Sequence, residues 1–308
     1  MIASFLTVGQ QVLILFALMA VGFALGKTGR MDDKSSLTLT NLVIYAVSPA
    51  MMVVAFQREK DTADLHNFFV CMLLAVVVHV VSIALAYLFL RGKDHACGAM
   101  RFGAVFSNCG FMGYPLMTAL LGSIGVFYGS AYVVVFTVLA WTAGIYMVTH
   151  DAHKLGLKAI VLNPGVLSVI VAMALYLLSV RLPEIVMTPL HYLADMNTPL
   201  PTIVVGYQLS HADFRHTFAD RRAWISLALR LAVIPLLAVA LCWAMRVDSA
   251  VALVAVIAAS TPPAALLSMF AQKFGQDTRL AASMVSVFTA ISVLTIPPVV
   301  GLAQYLMG

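Results

Sequence analysis

Ten apolar runs, each about as long as a helix needs to cross a bilayer, follow one another along 308 residues with short polar connections between them. Few folds are open to such a chain. The hydrocarbon layer holds no water, so every backbone polar group must be paired within the protein, and only α-helices or closed barrels achieve that. The alternating ten-residue pattern of an outer-membrane barrel is absent. The fold class read from the sequence is therefore an all-α polytopic membrane protein. Composition agrees: 62% of residues are hydrophobic, 10% are charged, and mean hydropathy is +0.98, too apolar for an ordinary soluble domain.

The runs extend from Val8 to Gly26, Leu39 to Phe56, Phe68 to Leu90, Ala99 to Leu121, Gly125 to Val148, Pro164 to Val180, Thr188 to Leu209, Ala223 to Met245, Ala250 to Phe270 and Leu280 to Leu306. Basic residues orient them. Thirteen lie after runs one, three, five, seven and nine: Lys27, Arg30, Lys34, Arg91, Lys93, Arg101, Lys154, Lys158, Arg215, Arg221, Arg222, Lys273 and Arg279. Only Arg58, Lys60, Arg181 and Arg246 lie on the other side. The positive-inside rule makes the first set cytoplasmic and puts both termini on the outer side. The net charge of +5 is thus a topology signal, and no long basic run or aromatic-interleaved patch suggests nucleic-acid binding. Cys71, Cys97, Cys109 and Cys242 form no CxxC pair and argue for neither disulfides nor a metal. The first run has no basic residue before it and no small-residue cleavage site, so it reads as a retained span.

The fourth run is interrupted by Ser107-Asn108-Cys109-Gly110-Phe111-Met112-Gly113-Tyr114-Pro115. Two glycines and a proline there predict a broken backbone, tolerated at membrane depth only where it is buried in protein or lines a watery cavity. A matching interruption, Ser260-Thr261-Pro262-Pro263, divides the ninth run. Thr261 before Pro262 reads as a helix N-cap with proline at the first helical position, and Pro115 as the start of the second half of run four. Free NH groups at both half-helix starts would suit an anionic or hydrogen-bond-accepting group.

The two interruptions are also related by an internal repeat. Val135-Phe136-Thr137 recurs as Val287-Phe288-Thr289, an offset of 152 that carries Asn108 onto Ser260; an offset of 150 carries Ser48-Pro49 onto Thr198-Pro199. Two five-helix halves follow: residues 1–148, a cytoplasmic linker at 149–163, and residues 164–308. Because five is odd, the second half is inverted, an arrangement that brings broken helices together near the midplane in transporters.

Arg230 stands alone in run eight, eight residues and roughly 12 Å beyond Arg222, too deep for easy snorkelling. It reads either as an anion clamp or as a structural partner of Asp195. Asp195 and Asn197 before the Thr198-Pro199 break, and His79 within run three, are candidates for taking up a proton or helping to hold a cation. A lone histidine on an apolar helix is more often a hydrogen-bonded core residue. His150 and His153 have metal-compatible spacing, but beside Lys154 in a polar loop they read as solvated. Trp141, Trp224 and Trp243 read as interface anchors or core.

Several strings resemble the auxin efflux carrier family: Asn41-Leu42-Val43-Ile44-Tyr45 running to Ser48-Pro49, the Asn-x-Gly-Phe-x-Gly-x-Pro string from Asn108 to Pro115, Asn163-Pro164, and Thr198-Pro199-Leu200 followed by Gly206. The likeness extends over nearly the whole chain. It implies ten transmembrane helices as two inverted five-helix repeats, with broken, crossing helices 4 and 9 at the substrate. Helices 1, 2, 6 and 7 would form a scaffold, and helices 3–5 and 8–10 a transport domain moving as an elevator. The short loop from Thr149 to Leu162 is similar to the bacterial branch, which includes malonate transporters, and so implies the bacterial inner membrane and a small dicarboxylate. Thr261-Pro262-Pro263 departs from the Met-Pro that many relatives carry.

The substrate-binding candidates are accordingly Asn108, Cys109, Gly110, Pro115, Ser260, Thr261, Pro262 and Arg230, with Asp195, Asn197 and His79 as coupling candidates. The expected partners are a small organic anion and the lipid bilayer, with no nucleic acid, cofactor or metal. A homodimer, and a proton or sodium as coupling ion, stay open. The alternatives are a sodium-coupled bile-acid-type symporter and a passive channel; an intramembrane enzyme lacks GxSxG, HExxH or a paired-Asp constellation.

Overall fold

A computed structural model describes residues 2–154, 156–211, 217, 218 and 220–307; Arg215, used above for orientation, lies outside them. The described residues are mostly helical and include no strand beyond an isolated bridge. In chain order the main helices are α1 (Ile2–Lys27), α2 (Asp33–Phe56), α3 (Thr62–Phe89), α4 (His95–Val105), α5 (Cys109–Leu121), α6 (Ser123–Thr149), α7 (Pro164–Leu177), α8 (Glu184–Asp195), α9 (Pro199–Leu209), α10 (Arg221–Met245), α11 (Ser249–Ser260), α12 (Leu266–Lys273) and α13 (Thr278–Met307), with a short helical turn, Leu157–Val161, in the linker before α7. Six of these, α1 (from Gly9), α2, α3, α6, α10 and α13, are long and apolar enough to cross a membrane, and α5, α7 and α11 are shorter apolar helices.

Capping explains where the helices begin. Asp32, Asp61, Asp94, Asn163, Asp220 and Asp248 each precede a helix and accept a hydrogen bond from one of its first backbone NH groups. Inside the apolar runs the helices stop only at the interruptions. Runs four, seven and nine are accordingly each divided into two helices, α4 and α5, α8 and α9, and α11 and α12.

Proline accounts for a second irregularity. Three of the four π turns among the described residues, Val43–Val47, Cys109–Gly113 and Leu229–Val233, are each followed two residues later by a proline, Pro49, Pro115 and Pro235, whereas the fourth, Ala140–Gly144, has none. A proline removes the NH that would bond the carbonyl four residues back and crowds that carbonyl. Widening the turn just ahead of the ring relieves both problems without breaking the helix.

α11 is the centre of the molecule, with every residue from Val251 to Ser260 buried. It packs against α3, α6, α10 and α13. α1 lies against α9 in direct backbone contact: a Cβ at Gly206 would stand 2.0 Å from the carbonyl oxygen of Met19, and one at Gly22 1.9 Å from that of Ile203. Small residues are what permit this approach, and close packing rather than a hydrophobic drive holds helices together in lipid. α8 buries no residue, and Ile185 and Tyr192 are largely exposed, as expected of a surface solvated by lipid.

Candidate functional site

The site forms where two helices stop inside the protein. After Val105 the chain runs extended through Phe106 and Ser107; after Ser260 it runs extended through Thr261, Pro262 and Pro263. These segments cross as a short antiparallel bridge between Ser107 and Pro263. The Asn108 NH donates to the Pro262 carbonyl at 2.7 Å, and the Ala264 NH donates to the Phe106 carbonyl at 2.9 Å. Backbone groups freed by one break are thus paired by the other, as an interior without water requires.

Two expectations about this geometry are corrected. Thr261 is not an N-cap and Pro262 does not open a helix: Thr261 is extended (φ −69°, ψ 150°), and α12 begins only at Leu266. Each of Thr261 and Pro262 precedes a proline and is kept out of the α region, so the double proline extends the break. Likewise Pro115 does not start the second half of run four. Asn108 does, its Oδ1 accepting from the Phe111 NH at 3.3 Å and its carbonyl from Met112 and Gly113.

The polar groups at the crossing divide by what they can still offer. Ser260 Oγ donates to the Val256 carbonyl (2.7 Å) and Thr261 Oγ1 to that of Ala258 (3.0 Å), so both hydroxyl protons are committed to their own helix. Asn108 Nδ2 and Ser107 Oγ are buried without a partner. An unpaired buried donor costs about 1–3 kcal/mol, and such groups call for a ligand or an ordered water. Cys109 is fully buried, whereas Gly110 is half-buried, and a Cβ there would meet nothing within 4 Å. The first turn of α5 is therefore open at Gly110. Ser107 belonged to the interruption noticed in the sequence but was not read as a donor; nothing in the string distinguishes its free hydroxyl from the bonded one of Ser260.

Arg230 is 1% exposed and is not paired with Asp195, which is exposed at the end of α8. Its guanidinium donates to the carbonyls of Ala104 (3.2 Å), Val105 (2.8 Å) and Ala259. These are the last-turn carbonyls of α4 and α11, groups without an intrahelical partner at a helix C-terminus. One cation therefore caps both half-helices that end at the crossing, while its Nε is left without a partner.

Arg230 ends a ladder along one face of α10. Arg222 pairs with Asp94 at 2.6 Å, Ser226 Oγ donates to the Met100 carbonyl at 2.8 Å, and Arg230 reaches Ala104 and Val105, three positions spaced by four that bond α4 at successive turns. Arg222 also binds Asp220 at 2.6 Å. Its hydrogen bonds lower the Asp94 carboxyl from 3.8 to about 2 and hold the Asp220 carboxyl below its ordinary value. The ladder was not read from the sequence; polar residues spaced i, i+4, i+8 on an otherwise apolar helix are the signal that could have found it.

The coupling candidates are scattered. His79 is buried, its Nδ1 bonded to the Ala75 carbonyl at 2.7 Å and its Nε2 unpartnered, with its ring 5.9 Å from that of Phe106. A carbonyl only accepts, so in the neutral imidazole the proton sits on Nδ1. Asn197 is buried and accepts from Ser48 Oγ at 3.4 Å, leaving Nδ2 free. His150, expected to be solvated, is half-buried against His95 at 5.3 Å, whereas His153 is exposed. Among the described residues no group of three metal-ligating side chains converges.

The profile of the family described as membrane transport protein matches residues 7–159 and 149–300. The chain belongs to that family, the auxin efflux carrier family of the sequence resemblance. It is similar to an uncharacterized transporter of Methanothermobacter thermautotrophicus, 26% identical over 299 residues that cover 94% of this chain and 96% of that one. An uncharacterized transporter of Methanocaldococcus jannaschii is 23% identical over 296 residues, 92% of this chain and 95% of the relative. The chain is a multi-pass membrane transport protein with a small-molecule substrate, and not an enzyme.

Proposed function

We propose that the chain is a secondary carrier of a small organic anion, with a dicarboxylate such as malonate as the first substrate to test, and that the anion binds at the crossing of the two broken helices. The observation that carries this reading is the pair of buried, unpartnered donors at the crossing, Asn108 Nδ2 and Ser107 Oγ. A carboxylate accepts but does not donate, so it satisfies both. The starts of α5 and α12 add positive dipole ends of the right sign. In this reading Cys109, Gly110, Pro115, Ser260, Thr261 and Pro262 shape the backbone around the ligand, and Arg230 holds the frame from behind. Malonate itself comes from the family resemblance.

The proposed architecture is ten spans in two inverted repeats, residues 1–148 and 164–308, joined by the linker at 149–163, with both termini on the outer side. Positions that the repeat offsets relate also meet in space. Asn108 bonds to Pro262, two residues from its counterpart Ser260, and Ser48 bonds to Asn197, one residue from its counterpart Thr198. Such meetings are what a pseudo-twofold axis produces. Packing is paired in the same way, since α1 lies on α9 as α7 lies on the second half of α2. Spans 1, 2, 6 and 7 then form the scaffold, and the remainder moves against it.

Counterflow of labelled malonate in proteoliposomes tests the carrier and its site together. Saturable exchange is expected, reduced at least tenfold by Asn108→Ala and by Asn108→Asp, with melting temperatures near wild type. Non-saturating flux would make the protein a channel, and full activity in both variants would remove Asn108 from the site. Imposed sodium and pH gradients separate the two coupling ions.

A further inference from the structure

Away from the crossing, the linker between the halves and the end of α12 border an open surface groove of about 470 Å³. Lys154, Lys158 and Lys273 stand around it, and Trp141, Phe274 and Leu162 supply apolar lining. Lys273 Nζ lies 5.4 Å from the Trp141 ring centre and 5.6 Å from that of Phe274, and Lys154 Nζ lies 5.8 Å from Phe274. Among the described residues none of the three ammonium groups is paired with a carboxylate, and the nearby Asp151 carboxylate accepts from the His153 NH. The linker is held beside the groove by the Gly156 NH donating to the Trp141 carbonyl at 3.1 Å. Beside it, Val161 (66%) and Leu162 (57%) present bare apolar side chains outward.

We propose that this groove binds the headgroup of an anionic glycerophospholipid from the leaflet on that side, with its acyl chains against Val161 and Leu162. Three lysines converging on one hollow are more than a diffuse orientation signal, and aromatic rings beneath ammonium groups keep them poised over an apolar floor. A free anion would use the cations but not the adjoining apolar surface, whereas a phospholipid uses both. Basic pockets between helices on the cytoplasmic side are recurrent sites for anionic headgroups. The bound lipid would bridge the linker, which joins the two halves, to α12, which leads directly back to the crossing. The proposal is independent of the carried substrate.

The test is thermal stability of the purified full chain in nanodiscs of phosphatidylcholine with increasing phosphatidylglycerol, with lipid retention read by native mass spectrometry. Wild type is expected to gain stability in a saturable way and to retain phosphatidylglycerol. Lys154→Gln, Lys158→Gln and Lys273→Gln together should abolish both, at roughly fivefold in apparent affinity per lysine removed. Lys27→Gln, Arg30→Gln and Lys34→Gln together should leave both intact. The three pocket lysines are exposed, so the variant folds; Lys273→Gln alone gives a partial loss as a second reading. The proposal is overturned if phosphatidylglycerol gives no shift, if the pocket variant responds as wild type does, if the control variant loses the response equally, or if inorganic phosphate or malonate in phosphatidylcholine discs gives the same shift through the same lysines.

Discussion

Replacing Arg230 distinguishes a frame from a clamp. In Arg230→Met the side chain keeps much of its apolar bulk, but the carbonyls of Ala104, Val105 and Ala259 lose their donor in a site that is 1% exposed. Each orphaned carbonyl costs about 1–3 kcal/mol, a gross loss of about 3–9 kcal/mol. Removing a buried charge returns part of its desolvation penalty, which brings the net to about 3–5 kcal/mol, the range seen when one partner of a buried charged contact is deleted. That is a large share of a typical total of about 5–15 kcal/mol. Arg230→Lys keeps the charge but not the fork that spans two helix ends, so it should lose about half as much. The assay is denaturant or thermal unfolding in micelles, run with and without malonate. Arg230→Met should melt many degrees below wild type even without ligand. If it melts within a degree of wild type and loses only the malonate-induced stabilisation, the guanidinium acts on the substrate and the capping role is wrong.

Other perturbations probe separate parts of the same framework. Gly206→Ala puts a methyl group 2.0 Å from the Met19 carbonyl oxygen, backbone that cannot swing aside, so α1 and α9 must separate and stability should fall by at least about 1–3 kcal/mol in a melting experiment. Gly110→Ala meets no atom within 4 Å; it should melt like wild type yet bind malonate more weakly, because the methyl group occupies the space left to the ligand. The Asp94 carboxyl is lowered from 3.8 to about 2, so its pairing stabilises the fold fully above about pH 4, and that contribution disappears as pH falls towards 2. Asp94 is half exposed, which keeps the effect within about 1 kcal/mol; Asp94→Asn should lower the melting temperature by that small amount at neutral pH, flatten the acid limb over that window and converge with wild type near pH 2.

Much of this molecule can be read from apolar runs and turn chemistry because both are local. The interruption at Asn108 and its partner at Ser260 are visible as residues that cannot continue a helix in hydrocarbon, and the structure joins them by two backbone hydrogen bonds. What failed was detail that depends on tertiary pairing. Thr261-Pro262 has the local chemistry of a helix start, yet the Asn108 NH takes the Pro262 carbonyl and the second proline holds the chain extended, so α12 starts later. Pro115 looks like a boundary because a proline cannot donate; a π turn ahead of it lets the helix begin at Cys109 instead. Arg230 was conspicuous as a charge, but its partners are carbonyls, and backbone acceptors leave no mark in a sequence. The four-residue spacing of Arg222, Ser226 and Arg230 is the one mark in the sequence that could have shown that this face of α10 lies against another helix.

The capping by Arg230 also limits what the crossing can bind. Two helix C-termini carry roughly −0.5 charge each, and both α4 and α11 end on the one guanidinium, so its unit charge is balanced without any carboxylate. The opposite ends, the starts of α5 and α12, carry roughly +0.5 each and are what remains to face a ligand. In the proposed reading the crossing therefore compensates about one negative charge. A monocarboxylate is matched by the protein alone, whereas a dicarboxylate dianion needs one further positive charge, from a bound cation or from a proton that turns it into a monoanion. Coupling and substrate charge then become one question. If malonate is the cargo, its binding must strengthen either with sodium or as pH falls towards the second carboxyl's pKa, and an affinity indifferent to both would mean that the crossing binds a monoanion instead.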